Sequence, residues 1–543
     1  MKVATCKLYV SIHREEEQMS TSPSQSNPAF RPSPQALEPT GVPQLDLVLG
    51  GGLPRGALVV LLGPPGSGKT TLASQIAFAV AGRGQRVLLL TSLSEPTTKL
   101  LEHLQGFHFF DPDLIGSSVQ VFSLQQFLTQ GVATTSQEIV AAVRQTQANV
   151  VVLDGFQGIR DLEPDTVSSR QLLYNLGTRL SLLGTTTLIT TEADPRDPAL
   201  FPEMTTADVL VGLYYILAGQ RSFRSLEALK VRGRAPLPGL HSLLLSEEGV
   251  HVFPRLETRI SRPTFEGWPA VPGLVMPQER AIFGLKELDG LLGGGLTRQT
   301  STLLTGSLGT GKSLLALQFA LAGVSSGEPT LFLGFRETGE QLIQKADTFA
   351  MGERLRTALA AGGGLTLQRW EPVEVDPDRV ATELLAALEQ TGVRRVVVDS
   401  IAELERAVVE SSGTARVSNY LAALLAALRA RGVTLLAIKE VPKIVTTQLD
   451  FSADALAVLA ENVLLSQQLA YRGRLHRILS VLKMRFSNHD HTLREMLIAP
   501  PVGIRILTPD ESGREVLAGL TRQQGGPAEG VEPPLSPEAS SGE

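Results

Sequence analysis

Two octets, Gly63-Pro64-Pro65-Gly66-Ser67-Gly68-Lys69-Thr70 and Gly306-Ser307-Leu308-Gly309-Thr310-Gly311-Lys312-Ser313, share one pattern: glycine, any four residues, glycine, lysine, then threonine or serine. The glycines permit a curl in which successive N–H groups point inward at anionic oxygens. The lysine brings a point charge to terminal phosphates, and the Thr70 or Ser313 hydroxyl suits Mg²⁺. Each octet follows an apolar run (residues 58–62 and 302–304) and precedes a helical pattern (72–77 and 314–319). That context predicts strand, loop and helix in order, with a helix starting at each lysine and its positive dipole end beneath the phosphates. Both octets are read as nucleotide-binding loops.

The duplication extends beyond them. Gly41, Asp46, Arg55 and Lys69 recur as Gly284, Asp289, Arg298 and Lys312, each 243 residues on. The triple glycine Gly50-Gly51-Gly52 returns as Gly293-Gly294-Gly295. A period of that length is a duplicated domain, not a solenoid repeat. Short apolar runs at 87–90, 150–153 and 187–190 alternate with helical segments at 136–145 and 170–183. In the second copy the runs are 330–333, 396–398 and 433–438, with helices at 379–390 and 419–431. This alternation predicts an α/β fold: two tandem domains, each a mostly parallel sheet with helices on both faces.

The expected organisation is a disordered tail over 1–38, a first domain over 39–258, a proline-rich linker over 259–280, a second domain over 281–508, and a disordered tail over 509–543. A net charge of −6 supplies no global basic surface for nucleic acid or anionic lipid. The single cysteine, Cys6, excludes an intramolecular disulfide and a cysteine-based zinc site. No run approaches the about 20 apolar residues needed to span a bilayer. A cytoplasmic, membrane-free protein is the expectation.

Each copy carries an aspartate closing an apolar strand, Asp154 after residues 150–153 and Asp399 after 396–398. Such a carboxylate can hold a water of a loop-bound Mg²⁺, or it can cap the helix that follows. Glu95 and Glu337 follow the first strand beyond each loop, residues 87–90 and 330–333, and are candidate catalytic bases; helix capping is the competing role. Each domain also closes on a basic pair, Lys230 with Arg232 and Lys483 with Arg485. Alternate strand positions put each pair on one face, either solvated or reaching a neighbouring subunit's terminal phosphate.

Taken jointly, the glycine-rich phrase, the duplicated loops, the strand-end aspartates and the Lys-x-Arg pairs resemble the KaiC-like ATPases of the RecA-type branch. The resemblance covers roughly residues 40–255 and 281–508. It implies two stacked RecA-like domains, a double-ring homo-hexamer, ATP and Mg²⁺ between neighbouring subunits, and trans contacts from Lys230, Arg232, Lys483 and Arg485. In the family's clock protein the first ring hydrolyses ATP slowly, and the second phosphorylates itself on a Ser-Thr pair.

Two departures stand out. The family carries a Glu-Glu pair after the second strand, its first member being the base; here that position holds Ser94 and Arg336, leaving Glu95 and Glu337. Loss of a positioned base typically costs ~10²–10⁴-fold in rate. The phospho-acceptor pair falls on Ala457 and Val458, with Thr446 and Thr447 eleven residues upstream of it. The leading reading is a slow Mg²⁺-dependent ATPase acting as a ring-shaped conformational regulator, with an unidentified signalling protein as partner. The alternatives are a clock-type serine/threonine autokinase, a nucleotide-gated scaffold without turnover, and a DNA-binding RecA-type motor. Against the motor, the candidate central loops 155–169 and 400–418 lack excess positive charge: Arg160 faces Asp161, Glu163 and Asp165, and Arg406 and Arg416 face Glu403, Glu405 and Glu410.

Overall fold

The computed structural model describes residues 36–93, 96–128, 132–162, 166–197, 202–218, 220–260, 279–441, 454–471 and 474–508. In the first domain the sheet strands are β1 (Leu58–Gly63), β2 (Val87–Thr91), β3 (Val119–Ser123), β4 (Val150–Leu153), β5 (Thr186–Glu192), β6 (Val209–Ala218), β7 (Arg221–Val231), β8 (His241–Ser246) and β9 (Gly249–Phe253). They lie in the order β3-β2-β4-β5-β1-β6-β7-β8-β9. Neighbours from β3 through β6 are parallel, and β7 to β9 add an antiparallel meander.

The second domain supplies β10 (Ser301–Gly306), β11 (Thr330–Gly334), β12 (Leu365–Arg369), β13 (Arg395–Asp399), β14 (Thr434–Glu440), β15 (Asn462–Tyr471), β16 (Arg474–Met484), β17 (Arg494–Ala499) and β18 (Gly503–Ile506). Their order, β12-β11-β13-β14-β10-β15-β16-β17-β18, is that of the first sheet with nine added to every strand. The duplication read from 243-residue spacings is thus a duplication of topology.

The central strands are continuous apolar runs because both faces are covered. In β1, Val59 and Leu61 enter one buried cluster while Leu58, Val60 and Leu62 enter the other. The helix after each loop, α1 (Lys69–Ala81) and α2 (Lys312–Ser325), is buried nearly all round, as a helix lacking a polar face must be. Both start at the lysine, as the motif predicts, after a glycine with positive φ (Gly68, 98°; Gly311, 88°).

Several boundaries differ from expectation. Leu37–Glu38, placed in the tail by composition, pairs with Leu53–Pro54, and the Glu38 carboxylate accepts from Arg55, Arg83 and Gln85. Tails 1–35 and 509–543 lie outside the described residues, as do linker residues 261–278. The linker's flanks are structured: a short helix, Leu256–Ile260, precedes it, and Arg280–Ala281 pairs with Leu296–Thr297 after it. The segment 400–418 is largely helix rather than an open loop. Ser400 caps α3 (Ile401–Ser412), whose Ile401, Leu404, Ala407 and Val408 are buried at helical spacing. Residues 157–162 likewise form a short helix, Gln157–Leu162.

The two domains touch through both apolar and polar contacts. Leu256, at the end of the first domain, is buried in the core of the second. Next to it, Arg416 donates from Nε to Glu257 Oε1 at 2.7 Å and from Nη2 to Asp378 Oδ1 at 2.7 Å. Arg221 of β7 reaches across to the Glu374 carbonyl at 2.6 Å.

Candidate functional site: two phosphate-loop clefts

The parallel strands deliver their C-terminal ends to one rim of each sheet, the edge at which open α/β sheets bind ligands. In the first domain Gly63, opening the octet, pairs in register with Glu192 of β5, and Asp154 follows β4 directly. Lys69 is buried, and its ammonium donates to the carbonyls of Gly63 at 2.9 Å and Pro64 at 3.0 Å. Burial pulls its pKa below the usual lysine value, against the raising effect of Glu192 and Asp154.

Thr70 Oγ1 donates to Asp154 Oδ1 at 3.0 Å, and Oδ2 lies 3.1 Å away. Thr190 Oγ1 donates to the same Oδ1 at 2.6 Å while accepting from the Gly155 N–H. Asp154 therefore faces the loop hydroxyl. The cleft holds about 660 Å³ and is lined by Gly66, Lys69, Thr70, Asp154, Glu192 and Arg224, among others.

The second domain repeats the arrangement. Lys312 donates to Gly306 at 3.0 Å and Ser307 at 2.6 Å, and burial lowers its pKa, against Glu440 and Asp399. Ser313 and Asp399 line this cleft together. The pKa of Asp399 is raised by burial, opposed by Ser313, with Glu337 raising it further. The helix cap after this aspartate is Ser400.

The candidate base of the second domain, Glu337, lines the cleft with Ser313 and Asp399 and is ion-paired to Lys345. It does not cap the following helix: Thr338 does, in a capping box with Gln341. Beside it Arg336 donates from Nε to Glu403 Oε1 and from Nη1 to Glu440 Oε2, both at 3.0 Å. Glu95 and Ser94, like Thr446 and Thr447, lie outside the described residues.

The basic pairs sit away from their own clefts. The strands end at Val231 and Met484, so Arg232 and Arg485 lie just beyond them, and a bulge at Leu229 and at Leu482 falls immediately before each pair and outside it. Lys230 reaches the Thr205 carbonyl at 3.4 Å, and Arg232 pairs with Asp208 at 2.9 Å. Lys483 bonds the carbonyls of Ala457, Val458 and Ala460, and Arg485 that of Val458. None of the four lines the cleft of its own domain.

The sequence reading missed two arginines. Arg224 donates from Nε to the Gly66 carbonyl at 3.1 Å, and Arg477 does the same to Gly309 at 3.2 Å. Each precedes its Lys-x-Arg pair by six residues, which is the signal that could have revealed them. Glu192 and Glu440, closing β5 and β14 beside the loop lysines, were also missed.

The residues present fit a magnesium nucleotide. Thr70 with Asp154 is an all-oxygen donor set of the kind Mg²⁺ prefers. Among the described residues the buried Ser67 and Ser307 hydroxyls have no hydrogen-bond partner, and a Cβ added at Gly66 or Gly68 would meet nothing within 4 Å. In the second loop the same test at Gly311 meets Ile498 of β17 at 2.1 Å, so that loop is more closely covered.

Fold and site together define tandem RecA-type phosphate-loop domains. The family described as "ATPase: KaiC" matches residues 38–257 and 282–511, and the chain belongs to it. "Circadian clock protein KaiC3" of Synechocystis sp. is 26% identical over 88% of this chain and 93% of its own length. "Circadian clock oscillator protein KaiC" of Parathermosynechococcus lividus is 25% identical over 88% and 87% respectively. The protein of that title from Thermostichus vulcanus is 25% identical over 87% and 90%. Among the described residues no helix is long and apolar enough to cross a membrane.

Proposed function

We propose that the chain is a slow, Mg²⁺-dependent ATPase that works as a conformational regulator, assembled as a homo-hexameric ring with nucleotide between neighbouring subunits. The observation that carries this reading is the convergence, in both domains, of a buried loop lysine, a loop hydroxyl and a strand-end aspartate. Mg²⁺ held by Thr70 with Asp154, and by Ser313 with Asp399, would neutralise charge on the phosphates. Lys69 and Lys312 exchange loop carbonyls for phosphate oxygens, a switch that needs only a side-chain rotation. Arg224 and Arg477 hold the loop backbone in its curl. Lys230, Arg232, Lys483 and Arg485, turned away from their own clefts, serve a neighbour's site.

Slowness follows from the altered base positions. Glu95 in the first domain and Glu337 in the second are the remaining groups for orienting water, and Glu337 is engaged by Lys345. An autokinase of the clock type is disfavoured by Ala457 and Val458, which carry no hydroxyl.

The test is ATP turnover alongside particle size, with and without Mg-ATP, for wild type, Lys69→Ala and Lys312→Ala. The expected result is assembly on adding Mg-ATP and turnover lost chiefly in Lys69→Ala. A chain that stays monomeric with nucleotide, or turnover that survives both substitutions, refutes the reading.

A further inference from the structure

Arg336 occupies an odd place for a cation. It lies two residues beyond β11, in a cleft it shares with Ser313 and with three carboxylates, Glu337, Asp399 and Glu440, and it also bonds Glu403 of α3. Its Nη1 holds Glu440 Oε2 at 3.0 Å. Glu440 pairs in register with Gly306, the first glycine of the second octet, and is the foremost acidic neighbour of Lys312. Arg336 and the loop lysine therefore flank the same carboxylate.

Arg336 can also be released at little cost. Its side chain is 56% exposed, so its ion pairs are only weakly stabilising. Glu403, by contrast, is 5% exposed and needs a partner, but Arg406 also holds it, at 2.6 Å. Withdrawal of Arg336 thus leaves no buried charge unpaired. The corresponding position of the first domain is Ser94, which cannot supply a cation.

We propose that Arg336 is a triphosphate-reading residue of the second site: on nucleotide binding it leaves Glu440 and donates to the terminal phosphate in cis, so that this site discriminates ATP from ADP and retains the triphosphate. The inference rests on the second loop holding a nucleotide. A guanidinium fork matches phosphate oxygens better than one carboxylate edge, and the terminal phosphate carries more charge than the carboxylate it replaces. A permanently charged guanidinium cannot accept a proton, so it cannot stand in for the base whose position it fills. ADP lacks the group it reads.

The experiment uses the full chain carrying Lys69→Ala to silence the first site, and measures affinities for fluorescent ATP and ADP analogues. Adding Arg336→Ala is expected to weaken ATP binding by about tenfold or more while ADP binding changes by less than about threefold. Arg336→Lys should recover part of the loss, and it keeps the test open if the alanine variant folds poorly by circular dichroism. Equal losses for ATP and ADP, or no loss for either, would overturn the inference. If the Lys69→Ala/Lys312→Ala chain binds both analogues as the wild type does, the underlying assignment of nucleotide to the loops fails instead.

Discussion

Thr70 Oγ1 lies 3.0 Å from Asp154 Oδ1, a contact between the end of the phosphate loop and the end of a strand 84 residues later. It exists because β4 and β1 stand on either side of β5 and deliver their C-terminal ends to the same rim. A hydroxyl and a carboxylate separated in sequence thereby become one donor set, and Ser313 and Asp399 share a cleft in the second domain.

Asp154→Asn should therefore weaken Mg-ATP binding by about tenfold or more, while binding in EDTA changes little. Calorimetric titration in the two conditions measures this. An equal loss with and without Mg²⁺ would assign Asp154 a purely structural role.

Arg224→Ala removes a charged donor from the Gly66 carbonyl in a partly exposed position. The expected cost is about 1 kcal/mol, roughly fivefold in nucleotide affinity, and Arg477→Ala should act alike at the second site. Affinities unchanged within twofold would show that the loops hold their curl unaided.

Much of this was legible from the chain. The octets, the helices starting at Lys69 and Lys312, and the strand-end aspartates follow from local pattern, because loop, strand and cap chemistry are local. The 243-residue offset was visible up to the loops, but it becomes 253 between Lys230 and Lys483, which concealed the equivalence of Arg224 and Arg477. Segment 400–418 read as a charged loop because its charges were counted without partners. In the fold its Arg416 is spent on Glu257 and Asp378, which come from two different domains. The bulge just before each Lys-x-Arg pair, at Leu229 and Leu482, was not legible, because a bulge depends on the partner strand.

If the basic pairs act across subunits, Arg232→Ala should lower turnover by at least about tenfold with nucleotide affinity little changed. Mixing Arg232→Ala chains with Lys69→Ala chains should then restore part of the activity, because some interfaces combine an intact loop with an intact arginine. No recovery on mixing would confine the arginine to its own subunit.

Asp378 gives a pH signature. It is buried and accepts from Arg416, with Glu257, Asp376 and Tyr420 around it. Arg416 is pushed up by its carboxylate partners and Glu257 is held down by Arg416, but one guanidinium cannot offset burial and two further carboxylates at Asp378, whose pKa rises to about 6. A folded value above the unfolded one means the folded state binds the extra proton, so this contribution to stability falls as pH rises from about 4 through 6. Wild type should lose up to about 3 kcal/mol relative to Asp378→Asn between pH 4 and 7.5, read from melting curves. A constant difference, or the opposite slope, would mean that Arg416 dominates.

The most direct test of two competent sites is the number of ATP molecules bound per chain at saturation. Wild type should bind two, and Lys69→Ala and Lys312→Ala one each at the same ligand concentration. A stoichiometry that neither substitution changes would contradict the assignment of both octets as nucleotide sites.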